Sequence, residues 1–262
     1  MADDAYPDTE SRGLARGTVR SLSLLGLVLV WWLSAQWAGS PNLCPGPIAA
    51  LAVAWNDIRD GTLPLNLVIT LVRVIAAFSV AMTTGTVLGY WAGRSSRADA
   101  MIDPWIVVAL NLPVLVVVVL AYIWIGLNDV AAILAVAIAK APTVFVTLRE
   151  GTRALDSGLD EIGTVYRLPW WRKLRHIVLP QLLPFVVAAA RGGLSITWKI
   201  VLVVELLGRP NGVGFMLNLY FQNFDVAGIL AYGLSFAAIM LVIEVTVLQP
   251  WERRVSAWRC GA

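Results

Sequence analysis

Six charged side chains lie within, or close to the ends of, long apolar segments of this chain. A charged group at the centre of a bilayer costs about 2.5–3.5 kcal/mol on insertion scales, so such side chains are expected to face protein or water. Their chemistry is electrostatic, because a buried cationic group attracts an anion or pairs with a carboxylate. The candidate positions are Arg73, Lys140, Arg191, Lys199, Glu205 and Glu244.

Lys140 lies about halfway along one apolar segment, two residues before Pro142. In one interpretation its positive charge lines a path that favours anions. In the other it forms an internal ion pair with Glu205 or Glu244. Lys199 and Glu205 are six residues apart, so they do not face each other on a helix and need other partners.

Covalent and metal-assisted chemistry have little support in the sequence. His176 is the only histidine, and Cys44 and Cys260 do not have the spacing of metal ligands. The sequence contains no G-x-x-x-x-G-K-[ST] phosphate loop, no G-x-S-x-G and no H-E-x-x-H. The chain is therefore predicted not to be an enzyme, to hold no metal or cofactor, and not to hydrolyse ATP itself. A membrane-embedded enzyme would need clustered histidine, cysteine or paired carboxylate groups.

Hydrophobic residues make up 58% of the chain, and 14% of its residues are charged. Nearly uncharged runs of about 20 residues match the hydrocarbon thickness of a bilayer. Helices are the expected form, since a lipid-exposed backbone must satisfy its hydrogen bonds internally and no alternating strand pattern is present. The sequence thus predicts an all-α polytopic membrane protein with about six spans, at 21–38, 67–91, 102–125, 130–148, 185–207 and 226–248.

Prolines interrupt several of these spans, and the Asn111–Pro113 element breaks span three. A break of this kind frees backbone carbonyl groups, which are tolerated where they are buried in protein or line a wet cavity. Ordinary helix kinking is the alternative for any single proline. The predicted wall of a translocation path combines this break with polar and aromatic positions of spans four and five, namely Asn111, Lys140, Trp198 and Lys199.

Lysine and arginine residues outside the spans are distributed unevenly. One side of the predicted membrane holds fourteen of them, whereas the other holds only Arg59 and Arg209. The positive-inside rule places both termini and the 149–184 segment in the cytoplasm. The predicted organisation is a cytoplasmic tail at 1–20, a membrane domain at 21–250 and a cytoplasmic tail at 251–262. The net charge of +3 then reflects topology and lipid head groups, not nucleic-acid binding.

The 149–184 segment is long, polar and basic, and it lies between hydrophobic runs. A short helix within it carries Leu159, Ile162 and Val165 at spacings of three, which gives a partial apolar face able to insert into a groove on a soluble domain. Flanking arginines favour association with an acidic rim. In the alternative, the segment lies on the membrane surface with Trp170 and Trp171 at head-group depth, and both interpretations are compatible.

The stretch from Leu159 to Pro180, LDEIGTVYRLPWWRKLRHIVLP, resembles the cytoplasmic EAA loop of ABC-importer permeases. The resemblance extends over most of the chain and is greatest for the nitrate/sulfonate/taurine type of permease. It implies a type I importer permease fold. The other elements that carry the resemblance are Asn111-Leu-Pro113, Trp124-Ile-Gly126, Pro142, Glu205-Leu-Leu-Gly208 and Glu252-Arg253-Arg254.

The loop departs from the family pattern at three positions. Glu161 matches the family glutamate, but Ile162 and Gly163 replace the two alanines and Arg167 replaces the glycine. A residue with a Cβ atom pays about 1–2 kcal/mol in a left-handed conformation, unless the turn is remodelled by Leu168-Pro169. The departures indicate either drift in a working loop or an unequal transporter, in which this subunit pairs with a different permease or couples asymmetrically to its ATPase.

The resemblance implies a non-catalytic permease subunit of an ABC importer in the bacterial cytoplasmic (inner) membrane. The implied partners are an ATP-binding subunit that binds ATP and Mg²⁺, a second permease subunit, a periplasmic or lipid-anchored solute-binding protein, and membrane lipid. The second subunit is expected to be an identical copy, with a different permease as the alternative. The implied solute is a small anion such as a sulfonate, nitrate or other organic anion. Docking of the ATPase is expected to use Leu159, Glu161, Ile162, Gly163, Val165 and Arg167.

A secondary transporter or channel that needs no ATPase is the alternative from another class. Such proteins often show inverted repeats or a chain of acidic groups for proton relay. Neither feature is evident in the sequence, which favours the importer.

Overall fold

The computed structural model of the protein describes residues 9–40 and 43–251, and these residues form helices without any strand. Residues 1–8 of the predicted N-terminal tail lie outside the described residues, as do residues 252–262 with Cys260 and the Glu252-Arg253-Arg254 element. The helices are α1 (Thr9–Ala38), α2 (Pro47–Arg59), α3 (Thr62–Arg94), α4 (Ser96–Asn111), α5 (Val114–Ile125), α6 (Asp129–Arg153), α7 (Ser157–Val165), α8 (Trp170–Lys173), α9 (Leu179–Gly208), α10 (Val213–Gln222) and α11 (Val226–Ile243).

Two π-helical turns continue these helices. Leu174–Val178 joins α8 to α9, and Glu244–Leu248 follows α11. Among the described residues, four continuous helical stretches are long and apolar enough to cross a membrane, at Thr62–Arg94, Asp129–Arg153, Trp170–Gly208 and Val226–Trp251. The apolar part of α1 is the shorter stretch Leu25–Ala38.

The predicted third span is a broken one. Helices α4 and α5 meet at a bend of 100° and can count together as a fifth span. The bend falls at Leu112 and Pro113, where the proline has no N–H to donate to a continuing helix. The predicted break in span three is therefore confirmed at this position.

The core is built around α3, α6 and α9, with the most extensive contact between α3 and α6. Gly85 and Gly89 lie one turn apart on α3 and let the two helices approach closely. A Cβ atom on Gly85 would lie 2.6 Å from Cβ of Val144, and one on Gly89 would lie 2.7 Å from the carbonyl oxygen of Phe145. Small residues at this spacing are typical of helix packing within membranes.

Side-chain caps fix where several helices begin. Ser95 Oγ accepts from the Ala98 N–H at the start of α4, Asn128 Oδ1 accepts from the Ala131 N–H at the start of α6 (2.9 Å), and Asp225 Oδ1 accepts from the Gly228 N–H at the start of α11 (3.0 Å). Each cap satisfies an N–H group that has no partner within its helix. The caps hold in place the helices that carry the charged side chains described below.

Candidate functional site

Glu205 is the centre of a buried polar network at the Gly208 end of α9. Its side chain is fully buried, and its carboxylate accepts from Arg73 Nη1 (2.6 Å), from Thr70 Oγ1 (2.8 Å) and from the Gly214 N–H (2.9 Å). Arg73 also pairs through Nε with Asp129 (2.7 Å). The network therefore joins α3, α6, α9 and the start of α10 through charge-assisted hydrogen bonds.

The loop between α9 and α10 is bound to this network through its backbone. Arg73 donates to the Asn211 carbonyl oxygen (2.9 Å), and Asn66 Oδ1 accepts from the Gly212 N–H (2.7 Å). Gly212 has φ of +104°, and a Cβ atom there would lie 2.5 Å from the Glu205 carboxylate carbon. The conformation and the close approach both require glycine. The network thus fixes the shape of this loop.

Lys140 is buried, with 3% of its surface exposed, and it lies against α9. A Cβ atom on Gly193 would lie 3.1 Å from its Cε and 3.3 Å from the ring of Phe78 on α3. Within the part of the chain that the structure describes, Lys140 forms neither an ion pair nor a hydrogen bond. The pairing with Glu205 or Glu244 is therefore not formed, because Glu205 is engaged by Arg73. The role of Lys140 in a path stays a prediction.

Trp198 and Lys199 line a groove beside α11. Trp198 is half-buried, with its ring 5.7 Å from that of Phe236 in an edge-to-face arrangement. Lys199 is exposed, and its Nζ lies 5.5 Å from the centre of the Trp198 ring. Asn111 is exposed on α4, where its Nδ2 donates to the Val107 carbonyl oxygen (2.7 Å). The structure thus places three of the four predicted path residues on or against α9, and Asn111 on α4.

The predicted docking helix is formed, and it is α7. Leu159 is 41% exposed and Val165 is 79% exposed, so both can contact a partner. Glu161 is exposed and borders a polar cleft of about 480 Å³ beside the end of α3. For Ile162 only the position within α7 is described. Gly163 is buried, so it faces the body of the protein rather than a partner.

Arg167 adopts the conformation that a glycine would favour. Its φ is +48°, its N–H donates to the Thr164 carbonyl oxygen (3.0 Å), and the Leu168 N–H donates to the Gly163 carbonyl oxygen (2.9 Å). This pair of bonds is a Schellman motif, which normally has glycine at the left-handed position. The turn is therefore not remodelled by Leu168-Pro169, and the arginine takes the strained conformation.

Two contacts hold α7 against the base of α9. The Gln181 Oε1 atom accepts from the Asp156 N–H (2.9 Å), just before α7 begins. At the other end, a Cβ atom on Gly163 would lie 2.9 Å from Cδ1 of Ile177, so the helix packs closely on the π-helical turn. Because α6 ends at Arg153 and α9 begins at Leu179, α7 is tied to two membrane-crossing helices.

A cluster of five charged residues joins the end of α6 to the start of α4. Arg149 pairs with Asp99 (3.2 Å) and with Asp103, and Arg153 pairs with Asp99 (2.5 Å). Glu150 also belongs to the cluster, because it forms ion pairs with Arg149 (3.0 Å) and with Arg153 (3.3 Å). From the sequence, both arginines were predicted to belong to the docking segment, and their partners were not predicted. The signal was available, because each like-charged pair has the i, i+4 spacing of one helix face.

The Arg73–Glu205 pair was also missed, although both residues were noted as charges within spans. They are 132 positions apart, so no spacing rule connects them. Asn66 and Thr70 precede Arg73 by seven and three residues, which places polar groups along one face of α3. That polar face in an apolar helix was the available signal.

Comparison with known proteins identifies the family. Residues 85–249 match the model of the binding-protein-dependent transport system inner membrane component. An aliphatic sulfonates transport permease protein of Bacillus subtilis is 26% identical over 93% of this chain and 88% of its own length. The taurine transport system permease protein of Escherichia coli is 25% identical (94% and 91%), and a bicarbonate transport system permease protein of Synechococcus elongatus is 25% identical (88% and 87%).

Solved structures show the same fold. A chain of the MetNI methionine ABC transporter in an inward-facing conformation has a TM-score of 0.56 and 20% identity, with 79% of this chain and 97% of that chain covered. A chain of an amino acid ABC transporter has a TM-score of 0.55 and 20% identity, with 72% and 92% covered. The fold is that of type I ABC importer permeases, and the chain belongs to the family of binding-protein-dependent transport system inner membrane components, the permease subunits of ABC importers.

Proposed function

We propose that this chain forms half of the translocation pore of an ATP-driven importer for a small anion such as a sulfonate, nitrate or other organic anion. The 149–184 segment docks the ATP-binding subunit. The observation that carries the proposal is the setting of α7, a short helix that exposes apolar side chains and is held between two long membrane-crossing helices. A helix that presents an apolar face suits a groove on a soluble partner.

The topology proposed for the complex follows the distribution of basic residues. Both termini and α7 lie in the cytoplasm, and the chain crosses the bacterial inner membrane several times. A second permease subunit, identical by default, completes the pore, and a periplasmic or lipid-anchored binding protein delivers the solute. The tails at 1–20 and 251–262 flank the membrane domain on the cytoplasmic side.

Two sets of contacts could transmit a movement of α7 to the membrane-crossing helices. The Asp156–Gln181 bond and the packing of Gly163 on Ile177 connect α7 to α9. The cluster around Arg149 connects the end of α6 to α4, whose other end is the bend at Leu112 and Pro113. Closure of the ATP-binding subunits would draw the two copies of α7 together and move these helices as rigid bodies. The pore then changes from inward-facing to outward-facing.

A small anionic solute has support from charge and from the relatives. Lys140 is a buried cation that forms no ion pair in the described part of the chain, and Lys199 is an exposed cation on a membrane-crossing helix. Unpaired positive charge within a membrane attracts anions. The relatives named above refer to aliphatic sulfonates, taurine and bicarbonate.

Co-purification tests the docking proposal. The chain is expressed with the neighbouring genes of its operon, purified through a tag on the permease, and every recovered subunit is identified by intact mass. We expect an ATP-binding subunit in the wild-type complex and at least tenfold less of it with Val165→Glu, because this places a charge on the exposed apolar face. Ser96→Glu, at an exposed site at the start of α4 and outside the 149–184 segment, is the matched control and should recover the wild-type amount. Recovery of the permease alone, with the ATPase demonstrably expressed, would overturn the proposal.

A further inference from the structure

A groove between α9 and α11 carries two opposite charges that are not paired. Its volume is about 280 Å³, and its polar lining consists of Ser195, Lys199 and Glu244 with the aromatic ring of Trp198. Within the described chain neither Lys199 nor Glu244 forms an ion pair, so the two charged groups lie more than 4.0 Å apart. The groove is smaller than the 300–1,000 Å³ typical of drug-sized ligands, which suits a small solute.

Lys199, at one end of the groove, lies at a depth where charge is costly. Lys199 is nine residues from the end of α9 at Gly208, or about 14 Å along the helix. This is near the middle of a hydrocarbon layer about 30 Å thick. A charged side chain at such a depth needs water or a counter-charge. A lipid head group lies at the membrane surface, well away from Lys199, so a solute is the better source of the counter-charge for this residue.

Helix geometry indicates that the side chains of Lys199 and Glu244 lean toward each other along the groove. Trp198 contacts Phe236, which sets α9 and α11 side by side, and the short α10 between them makes them antiparallel. Glu244 lies further from the α9–α11 connection than Lys199 does, by about nine residues or 14 Å. Side chains lean toward the N terminus of their own helix, so these two lean toward each other. The π-helical turn that begins at Glu244 is a feature often found at functional sites.

A ligand with one charge cannot satisfy both residues. An anion would neutralise Lys199 and be repelled by Glu244, and a cation would do the reverse. We propose that this groove binds a zwitterion, with an anionic group such as a sulfonate or carboxylate on Lys199 and an ammonium group on Glu244. The inference rests on the proposed transport function and adds to the anionic group of the solute an ammonium group, as in amino sulfonates or amino acids.

Saturation-transfer NMR on the purified complex of permease and ATP-binding subunit, in nanodiscs and without the binding protein, tests this assignment. The probes are taurine, which is a zwitterion, and ethanesulfonate, which lacks the ammonium group. We expect taurine to reach half-saturation at a concentration at least tenfold lower than ethanesulfonate. Glu244→Gln should raise the taurine value to that of ethanesulfonate and leave ethanesulfonate unchanged, whereas Lys199→Met should abolish both signals. Asp60→Asn, at an exposed site just after α2 and outside the groove and the 149–184 segment, is the control and should change neither.

Three outcomes would overturn the assignment. The first is a ratio of the half-saturation concentrations of taurine and ethanesulfonate that is the same in wild type and in Glu244→Gln. This result would show that Glu244 does not hold an ammonium group. Loss of taurine binding only in nanodiscs that contain phosphatidylethanolamine would assign the groove to a lipid head group with the same two charges. Dissociation of the two permease subunits in either variant would assign it to a subunit interface. Failure of the proposed function is a separate result, since it appears as a permease purified without an ATP-binding subunit.

Discussion

Replacing Glu205 by glutamine should destabilise the protein severely. The carboxylate is fully buried and accepts hydrogen bonds from Arg73, Thr70 and the backbone N–H of Gly214. Glutamine has nearly the same size, so no cavity forms. The amide, however, has one acceptor oxygen and an NH₂ group that turns a second donor toward Arg73 or Gly214.

The magnitude follows from the burial of Arg73. Breaking a buried ion pair by removing one partner costs about 3–5 kcal/mol, because the other charge is left buried. Arg73 keeps Asp129, whose side chain is 55% exposed, so we expect the lower end of the range, about 3 kcal/mol. For a chain of this size, 1 kcal/mol lowers Tm by about 2–4 °C, so the expected loss is about 6–12 °C.

Thermal unfolding of the purified protein in detergent measures this loss. Limited proteolysis provides a local measurement, because the 209–212 loop is held by the same network and should be cleaved faster in the variant. Glu150→Gln is the matched control, since Glu150 is 54% exposed in its ion pairs and exposed pairs contribute about 0–1 kcal/mol. A Tm for Glu205→Gln within about 2 °C of that control would refute the reasoning that the network stabilises the fold.

Three further substitutions test other features. Arg167→Gly should stabilise the end of α7 by about 1 kcal/mol, because glycine has no Cβ atom to be strained at φ of +48°. Hydrogen exchange of the Leu168 amide should then slow about fivefold. Arg167→Ala is the control and should give no such gain. Lys140→Met should keep or raise Tm, because Lys140 forms no ion pair in the described chain that the substitution could break. It should also lower uptake of an anionic solute by the complete transporter. A large fall in Tm would show that Lys140 has a structural role. Gly214→Ala should reduce the yield of folded protein, because the added Cβ atom would lie 2.6 Å from Cβ of Glu205. Gly192→Ala should be tolerated, because no neighbouring atom lies within 4 Å of the added Cβ atom. Equal yields of the two variants in size-exclusion chromatography would contradict this.

Some features of the site were predictable from short stretches of sequence. The apolar runs placed the long helices, and Asn111-Leu-Pro113 placed the break between α4 and α5, because proline removes a backbone donor wherever it occurs. Leu159 and Val165 placed the short helix α7. The left-handed residue was also foreseeable, since the resemblance put a glycine position at Arg167. The sequence did not predict whether Arg167 would take the strained conformation or the turn would be remodelled. That choice depends on how firmly the neighbouring helix holds the turn.

The sequence by itself determined that this protein is a helical membrane permease, and it predicted a docking segment and a set of charges within the membrane. Hydropathy, turn residues and the EAA-like motif are local properties, so they can be read along the chain. Only the tertiary structure decided which charges are partners. Glu205 pairs with Arg73 on another helix, Lys140 lies unpaired against Gly193, and Lys199 and Glu244 share a groove without contact. The reason is that helix packing sets the distance between side chains far apart in sequence, and electrostatic interaction depends on that distance.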